Sequence, residues 1–259
     1  MNQEKRILVC EDSMEGIFSA VYDGWKECAG GCKVSIQTSF PVSMELFTSY
    51  REIATDQSKA GKVMRTILMR LGSEVYEQIC LAAASADEDR GTAIYYVLHR
   101  AFGGGRCEKR VMEALADPYV SRVAKLALCV KREYHHYFGF VRFREIGGRF
   151  LLAKIQPGND ILSLMALHFS NRFPNENWVI YDEKRQKALC HEKGKECVMR
   201  KGVRIQVPGS AVGDMGEYEE LWQTFCDSIS VEARRNEKLQ KQMLALHFRS
   251  NMPEFSVKE

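Results

Sequence analysis

No run of apolar residues in this 259-residue chain approaches the roughly 20 needed for a membrane-spanning helix. The opening MNQEKRILVCED also lacks the basic, then long apolar, then small-residue order of a secretory signal, so a cytoplasmic location is expected. No nucleophile elbow, HExxH pair or dinucleotide fingerprint occurs. Gly103-Gly104-Gly105 is not followed by the Gly-Lys-Ser/Thr of a phosphate loop and reads as a turn. Internal repeats and low-complexity tracts are absent as well. The nine cysteines are odd in number and scattered, which fits reduced thiols packed as small apolar groups rather than a disulfide framework. Cys28-x3-Cys32 and Cys190-His191-x5-Cys197 lack the tight two-residue spacing of common zinc sites. A third cysteine near the first pair, needed for a radical-SAM iron–sulfur cluster, is also missing. No metal or cofactor is therefore expected. Asp12, Asp56, Asp160 and Asp182 stand where elements begin or end, the usual place of caps rather than of paired catalytic carboxylates.

Charge has little overall sign, with 37 Lys/Arg against 34 Asp/Glu, but it is unevenly distributed. Residues 122–154 carry eight Lys/Arg and two Asp/Glu, and residues 184–204 repeat that balance, whereas acid collects at Asp87-Glu88-Asp89 and at Glu217 to Glu220. One electropositive face on a nearly neutral protein is the expected result.

At 45% hydrophobic, the chain can bury a full core, either as one compact domain over 1–259 or as two lobes, 1–116 and 117–259. Ile7-Leu8-Val9 predicts a strand, Ile17 to Trp25 a helix closed by Gly30-Gly31, and Lys33 to Gln37 a second strand. From the N-cap Thr55-Asp56 to Phe102 the apolar spacing is helical, with breaks near Gly72 and at the acidic turn Asp87 to Asp89. Asp117-Pro118 caps a long helix to about His136. The pattern then turns to period two: a strand over Phe138 to Arg144 and another over Phe150 to Ile155 make a hairpin through Gly147-Gly148. A helix over Ile161 to Phe173 follows, then a hairpin of Trp178 to Asp182 and Gln186 to His191, with strands near Cys197 to Arg200 and Val203 to Val207. Helices over Gly216 to Ile229 and Ala233 to Arg249 close the chain. The fold class is α+β: a helical N-terminal half with a strand-helix-strand start, an antiparallel sheet with an inserted helix, and C-terminal helices.

The densest chemistry lies in Lys131 to Arg144, KREYHHYFGFVRFR, where a histidine pair and five aromatic residues stand among basic side chains. Cations serve a phosphate backbone and aromatic faces serve unpaired bases, so Arg132, Tyr137, Phe138, Phe140, Arg142 and Arg172 are candidate nucleic-acid contacts. Glu133 and His135 at the end of that helix, and His168 one turn from Arg172, are candidate acid/base groups. A solvated strand face, a helix C-terminus that favours positive charge and a hydrogen-bonded core histidine account for the same residues without a site.

Six blocks in order, EDSMEGIFSAVYDGW, TDQSKAGKV, REYHHYFGFVRF, IQPGNDILSLMALHFSNRF, WVIYDEKR and ELWQTFCDSISVEARRNEKLQ, resemble a bacterial family of unknown function associated with DNA repair and DNA metabolism. The family pattern falls on Asp56, Lys59, Glu133, His135, Gly139, Phe140, Arg142, Phe143, His168, Phe169, Arg172 and Trp178. Two departures occur: Cys10-Glu11-Asp12-Ser13 stands for a tyrosine-aspartate-glycine opening, and Met243 to Phe248 for a methionine-proline motif. The resemblance implies a DNA-linked role, because relatives can be fused to a uracil-DNA-glycosylase-like domain and occur beside a radical-SAM DNA repair protein. With the sequence ending at Glu259, no glycosylase domain is expected to follow. The expectation is a DNA-binding or adaptor protein working with a radical-SAM repair partner. Its alternatives are an enzyme acting on DNA through Glu133, His135 and His168, and a protein–protein module without DNA contact.

Overall fold

The computed structural model describes residues 5–28, 32–41, 43–103 and 108–205, and beyond them 221, 225, 228, 236–244, 246–249, 252 and 255. The chain is α+β, as its periodicities predict, and divides into two compact units, Met1–Arg132 and Glu133–Glu259.

The first unit is built on a parallel sheet. Strand β1 (Lys5–Cys10) lies between β2 (Lys33–Gln37) and β3 (Thr48–Ile53) and runs parallel to both. Strand β3, a half-exposed and mostly polar TSYREI, carries no apolar alternation and escaped the sequence reading. Helix α1 (Met14–Cys28) links β1 to β2, and the Ser13 hydroxyl caps it by accepting from the Gly16 amide at 3.1 Å. Ile17, Phe18, Ala20 and Val21 of α1 are buried in one core with Leu8, Val34 and Ile36 of the sheet.

The three helices foreseen between residues 55 and 103 are present as α2 (Gln57–Leu71), α3 (Ser73–Ala83) and α4 (Arg90–Gly103). The Asp56 carboxylate caps α2 through the amides of Ser58 and Lys59, at 2.8 and 3.2 Å. Gly72, at φ 96°, divides α2 from α3 in a conformation that glycine alone adopts cheaply. The acidic turn before α4 is held from inside by Arg90. This buried guanidinium donates to the carbonyls of Ala83 (3.2 Å) and Asp87 (2.7 Å) and pairs with Asp12. Asp12 is thus an ion-pair partner, and Ser13 beside it is the cap. Thr92 accepts from the Ile36 amide at 2.9 Å and donates to the Ile36 carbonyl at 3.0 Å, so its hydroxyl satisfies backbone groups at the edge strand β2.

Helix α5 (Pro118–Phe140), capped by Asp117, extends four residues further than the sequence pattern suggested. The expected strand from Phe138 to Arg144 is therefore helix over its first three residues, and β4 is only Arg144–Ile146. The Phe-Gly-Phe-Val-Arg-Phe-Arg alternation also satisfies the i, i+4 spacing of a helix. Tyr134 meets Phe138 with ring centroids 5.3 Å apart and His136 meets Phe140 at 5.9 Å, while the Val141 amide closes a last turn on the Tyr137 carbonyl at 3.1 Å.

The second unit holds a five-stranded sheet in the order β4, β5 (Phe150–Ile155), β6 (Trp178–Asp182), β7 (Lys187–His191), β8 (Val198–Lys201). The β4/β5 and β6/β7 hairpins are antiparallel as predicted, and Gly147 and Gly148 turn the first with φ of 59° and 62°. The inserted helix α6 (Leu162–Arg172) makes the β5–β6 pair parallel, because a crossover helix returns the chain to the same end of the sheet. The sheet is thus mixed where a fully antiparallel one was expected. Leu152, Tyr181 and Ala188 are buried on one face, whereas Trp178 on the other lies 6.2 Å, ring to ring, from Phe169 of α6. Val203 and Ile205 pack on this sheet outside any strand, and residues 206–207 of the strand expected there lie outside the described residues.

Near the C-terminus, helices α7 (Glu237–Met243) and α8 (Leu246–Arg249) are separated by Leu244 in an extended conformation, where one helix over Ala233 to Arg249 was expected. Apart from positions 221, 225 and 228, the helix predicted over Gly216 to Ile229 lies outside the described residues, as do Gly30-Gly31 and Gly104-Gly105. No helix among the described residues is long and apolar enough to cross a membrane.

Candidate nucleic-acid interface

The end of α5 and the face of α6 bring together two blocks about thirty residues apart in sequence. Phe138 of α5 lies flat on the His168 imidazole of α6, with ring centroids 3.9 Å apart and 10° between the planes. His135, one turn before Phe138, meets its edge at 6.0 Å, and Phe169 stands edge-on to both rings of the stack. Arg172 follows His168 by one helical turn, is exposed and packs over the Phe173 ring at 5.6 Å. The site is thus an aromatic–imidazole stack with a second histidine at one edge and an arginine at the end of its helix.

Burial, together with the charges of Arg172 and His135, holds the His168 imidazole below the usual histidine range, so it is neutral at pH 7. Its Nε2 is buried and finds no hydrogen-bond partner among the described residues. A nitrogen left in that state costs on the order of 1–3 kcal/mol, which opposes reading His168 as a satisfied core histidine.

Glu133 has a different place. Its carboxylate accepts from the backbone amides of Gly158 (2.6 Å) and Asn159 (3.0 Å) and from the Asn159 side chain. Arg185 grips the same loop from the other side, donating to the carbonyls of Pro157 (3.0 Å) and Gly158 and to the fully buried Asp182 (3.1 Å). Asp182 in turn accepts from the amides of Lys184 and Arg185, and Lys187 pairs with Asp160. Glu133 and Arg185 together fix the loop from which α6 starts, and α6 carries His168.

The remaining predicted residues separate by burial. Tyr137 is 4% exposed with its ring 4.9 Å from that of Phe248, so it is a core residue and not a stacking surface. Burial, with the nearby Glu133 and Asp182 charges, pushes its phenol well above the ordinary range. Phe140 also leans on Phe248, at 5.1 Å. Arg142 donates from one nitrogen to the carbonyls of Gly139 (2.8 Å) and Val141 (3.3 Å), closing the end of α5. Arg132 is exposed on α5. Trp178 is fully buried and stacks on His191 at 5.1 Å. In the first unit Asp56 is the cap of α2, and Lys59 forms a two-oxygen ion pair with the buried Asp23 at 2.7 and 3.0 Å.

Sequence reasoning missed the loop clamp. A lone acid in a basic helix was a weak signal for it, and Arg185 gave none. Cys197 donates to the Ala166 carbonyl, burial raises the thiols of Cys190 and Cys197, and among the described residues no group of three or more His, Cys, Asp or Glu could hold a metal ion.

The model of the DUF4130 family, a domain of unknown function, matches residues 88–254, more than half of the chain, and the chain belongs to that family. No curated protein and no solved structure matches. The matched segment contains the α5 and α6 blocks, whereas Asp56 and Lys59 precede it.

Proposed function

We propose that this member of a family of unknown function is a DNA-binding component of DNA repair or DNA metabolism that acts with a radical-SAM repair partner. The supporting observation is the convergence of His135, Phe138, His168 and Arg172 on one surface of the second unit. A flat aromatic–imidazole pair offers a stacking platform for an unpaired base, and an exposed arginine one turn away suits a phosphate. The excess of Lys/Arg in residues 122–154 and 184–204 supplies the sequence-independent attraction. The repair context and the partner rest on the family resemblance.

Fluorescence anisotropy with labelled single-stranded and duplex DNA at several salt concentrations tests the reading. The expected result is salt-dependent binding that favours single strands and weakens on Phe138→Ala and Arg172→Ala. Absent or salt-independent binding refutes it.

A second reading, an enzyme acting on DNA, is favoured by one observation: His168 is held neutral and keeps an unused ring nitrogen. Glu133, spent on the loop, is then a positioning residue. Incubation of lesion-containing DNA with the protein and divalent metals decides between them. Product formation lost in His168→Gln favours the enzyme, and binding without product favours the adaptor.

A further inference from the structure

The first unit contains a cavity of about 520 Å³ between α1, α2 and α4. Its wall is apolar and aromatic, with Tyr22 and Trp25 from α1 and Leu98 and Phe102 from α4. Trp25 is held between neighbours, its ring 5.4 Å from His99 and 6.1 Å from Phe102, yet 37% of it remains exposed. A large aromatic fixed at the mouth of a cavity is a preformed stacking surface rather than a mobile surface residue.

The rim carries charge of one sign. Lys26, Lys62 and Arg70 line the cavity and, among the described residues, no acidic side chain does. The ammonium groups of Lys26 and Lys62 lie 5.2 and 5.8 Å from the centre of the Tyr22 ring. A third lysine, Lys59, stands 6.0 Å from the same ring but is neutralised by Asp23. Lys26 and Lys62 have no carboxylate partner among the described residues. Both cations lie within about 6 Å of one ring, so this part of the cavity offers concentrated positive charge to an anion. The spacing that produces this is simple: Tyr22, Trp25 and Lys26 share one face of α1 at i, i+3 and i+4, and Lys59, Lys62, Val63, Thr66 and Arg70 follow the same rule on α2.

We infer that this cavity binds a nucleoside monophosphate, its base against Trp25 and its phosphate at the ammonium groups of Lys26 and Lys62 beside Tyr22. The volume suits one mononucleotide, the walls match a flat base and the rim matches its phosphate. The site belongs to the first unit, and its α1 and α2 residues precede the segment matched by the family model, whereas Leu98 and Phe102 of α4 fall within it.

Calorimetric titration of the full chain with dAMP, deoxyadenosine and inorganic phosphate tests the inference. One dAMP is expected to bind per chain. Deoxyadenosine and phosphate, each lacking half of the ligand, should bind at least about tenfold more weakly, as one lost charge-assisted contact already costs roughly that factor. Lys26→Glu with Lys62→Glu should abolish dAMP binding while thermal melting stays unchanged, since both side chains are exposed. Trp25→Leu should weaken dAMP and leave phosphate unaffected. The inference is overturned if dAMP gives no binding, if phosphate alone binds as tightly, if the double lysine variant binds as the parent does, or if Phe138→Ala and Arg172→Ala remove dAMP binding instead.

Discussion

Glu133→Ala should release the Pro157 to Asp160 loop without unfolding the chain. Three donors converge on this carboxylate, two of them backbone amides at 2.6 and 3.0 Å. A hydrogen bond to a charged acceptor contributes about 1.5–3 kcal/mol net, and water regains the Gly158 amide once the carboxylate is gone because that contact is exposed. Discounting for this, opening of the loop should become easier by about 2–4 kcal/mol. Glu133→Gln keeps one accepting oxygen but turns an NH2 group toward a donor, and should cost roughly half as much.

The assay is hydrogen exchange of the Gly158 and Asn159 amides followed by NMR. A change of about 2 kcal/mol is a factor of about 30 in the opening equilibrium, so exchange at both amides should accelerate by at least that factor in Glu133→Ala. Arg185 still holds the carbonyls of Pro157 and Gly158, so the double variant Glu133→Ala with Arg185→Ala should exceed the sum of the single effects. Amides protected within twofold of the parent would refute the clamp and return Glu133 to the pool of acid/base groups. Because α6 begins two residues after Asp160, DNA affinity should fall in the same variant although Glu133 touches no nucleic acid in the proposed arrangement.

Three further outcomes follow from single contacts. Gly91→Ala would place a methyl 2.8 Å from Ile36 Cγ2 and 3.0 Å from the Ile36 carbonyl, so thermal melting should show a loss of about 1–2 kcal/mol after the better helix propensity is credited. Asp56→Ala removes the cap of α2 and should cost about 1 kcal/mol in urea denaturation. His168 has a depressed pKa in the folded state, so as pH falls below about 6.5 the unfolded chain takes up the proton first. Stability should therefore be flat above that value and decline from there toward the lower folded pKa, and the decline should diminish in His168→Gln when melting is followed from pH 8 to 5.

Local signals reported the fold well where they acted alone. Asp56, Gly72 and Asp117 mark helix ends through caps and turns that involve only a few neighbouring residues, and each is where the sequence placed it. The stretch after His136 failed because period two and i, i+4 coincide in a run of alternating aromatics. What decides for helix is Phe248, more than a hundred residues away, whose ring covers both Tyr137 and Phe140. The site divides in the same way. That His168 and Arg172 share a face of α6 is a property of helical spacing, whereas the flat packing of Phe138 on His168 depends on where α6 begins. That point is set by Glu133 and Arg185 acting on a loop 25 to 28 residues away in sequence. A basic, aromatic stretch could therefore be chosen as the working surface from its composition, but not sorted into parts. Only three-dimensional packing separates Tyr137, which is core, from Phe138, which stacks, and Glu133, which holds the loop, from His168, which keeps a nitrogen unspent. The cavity above Tyr22 is the converse case. Its lysines are ordinary in a chain with 37 Lys/Arg; helical spacing sets Lys26 beside Tyr22, but only the packing of α2 on α1 brings Lys59 and Lys62 to the same ring.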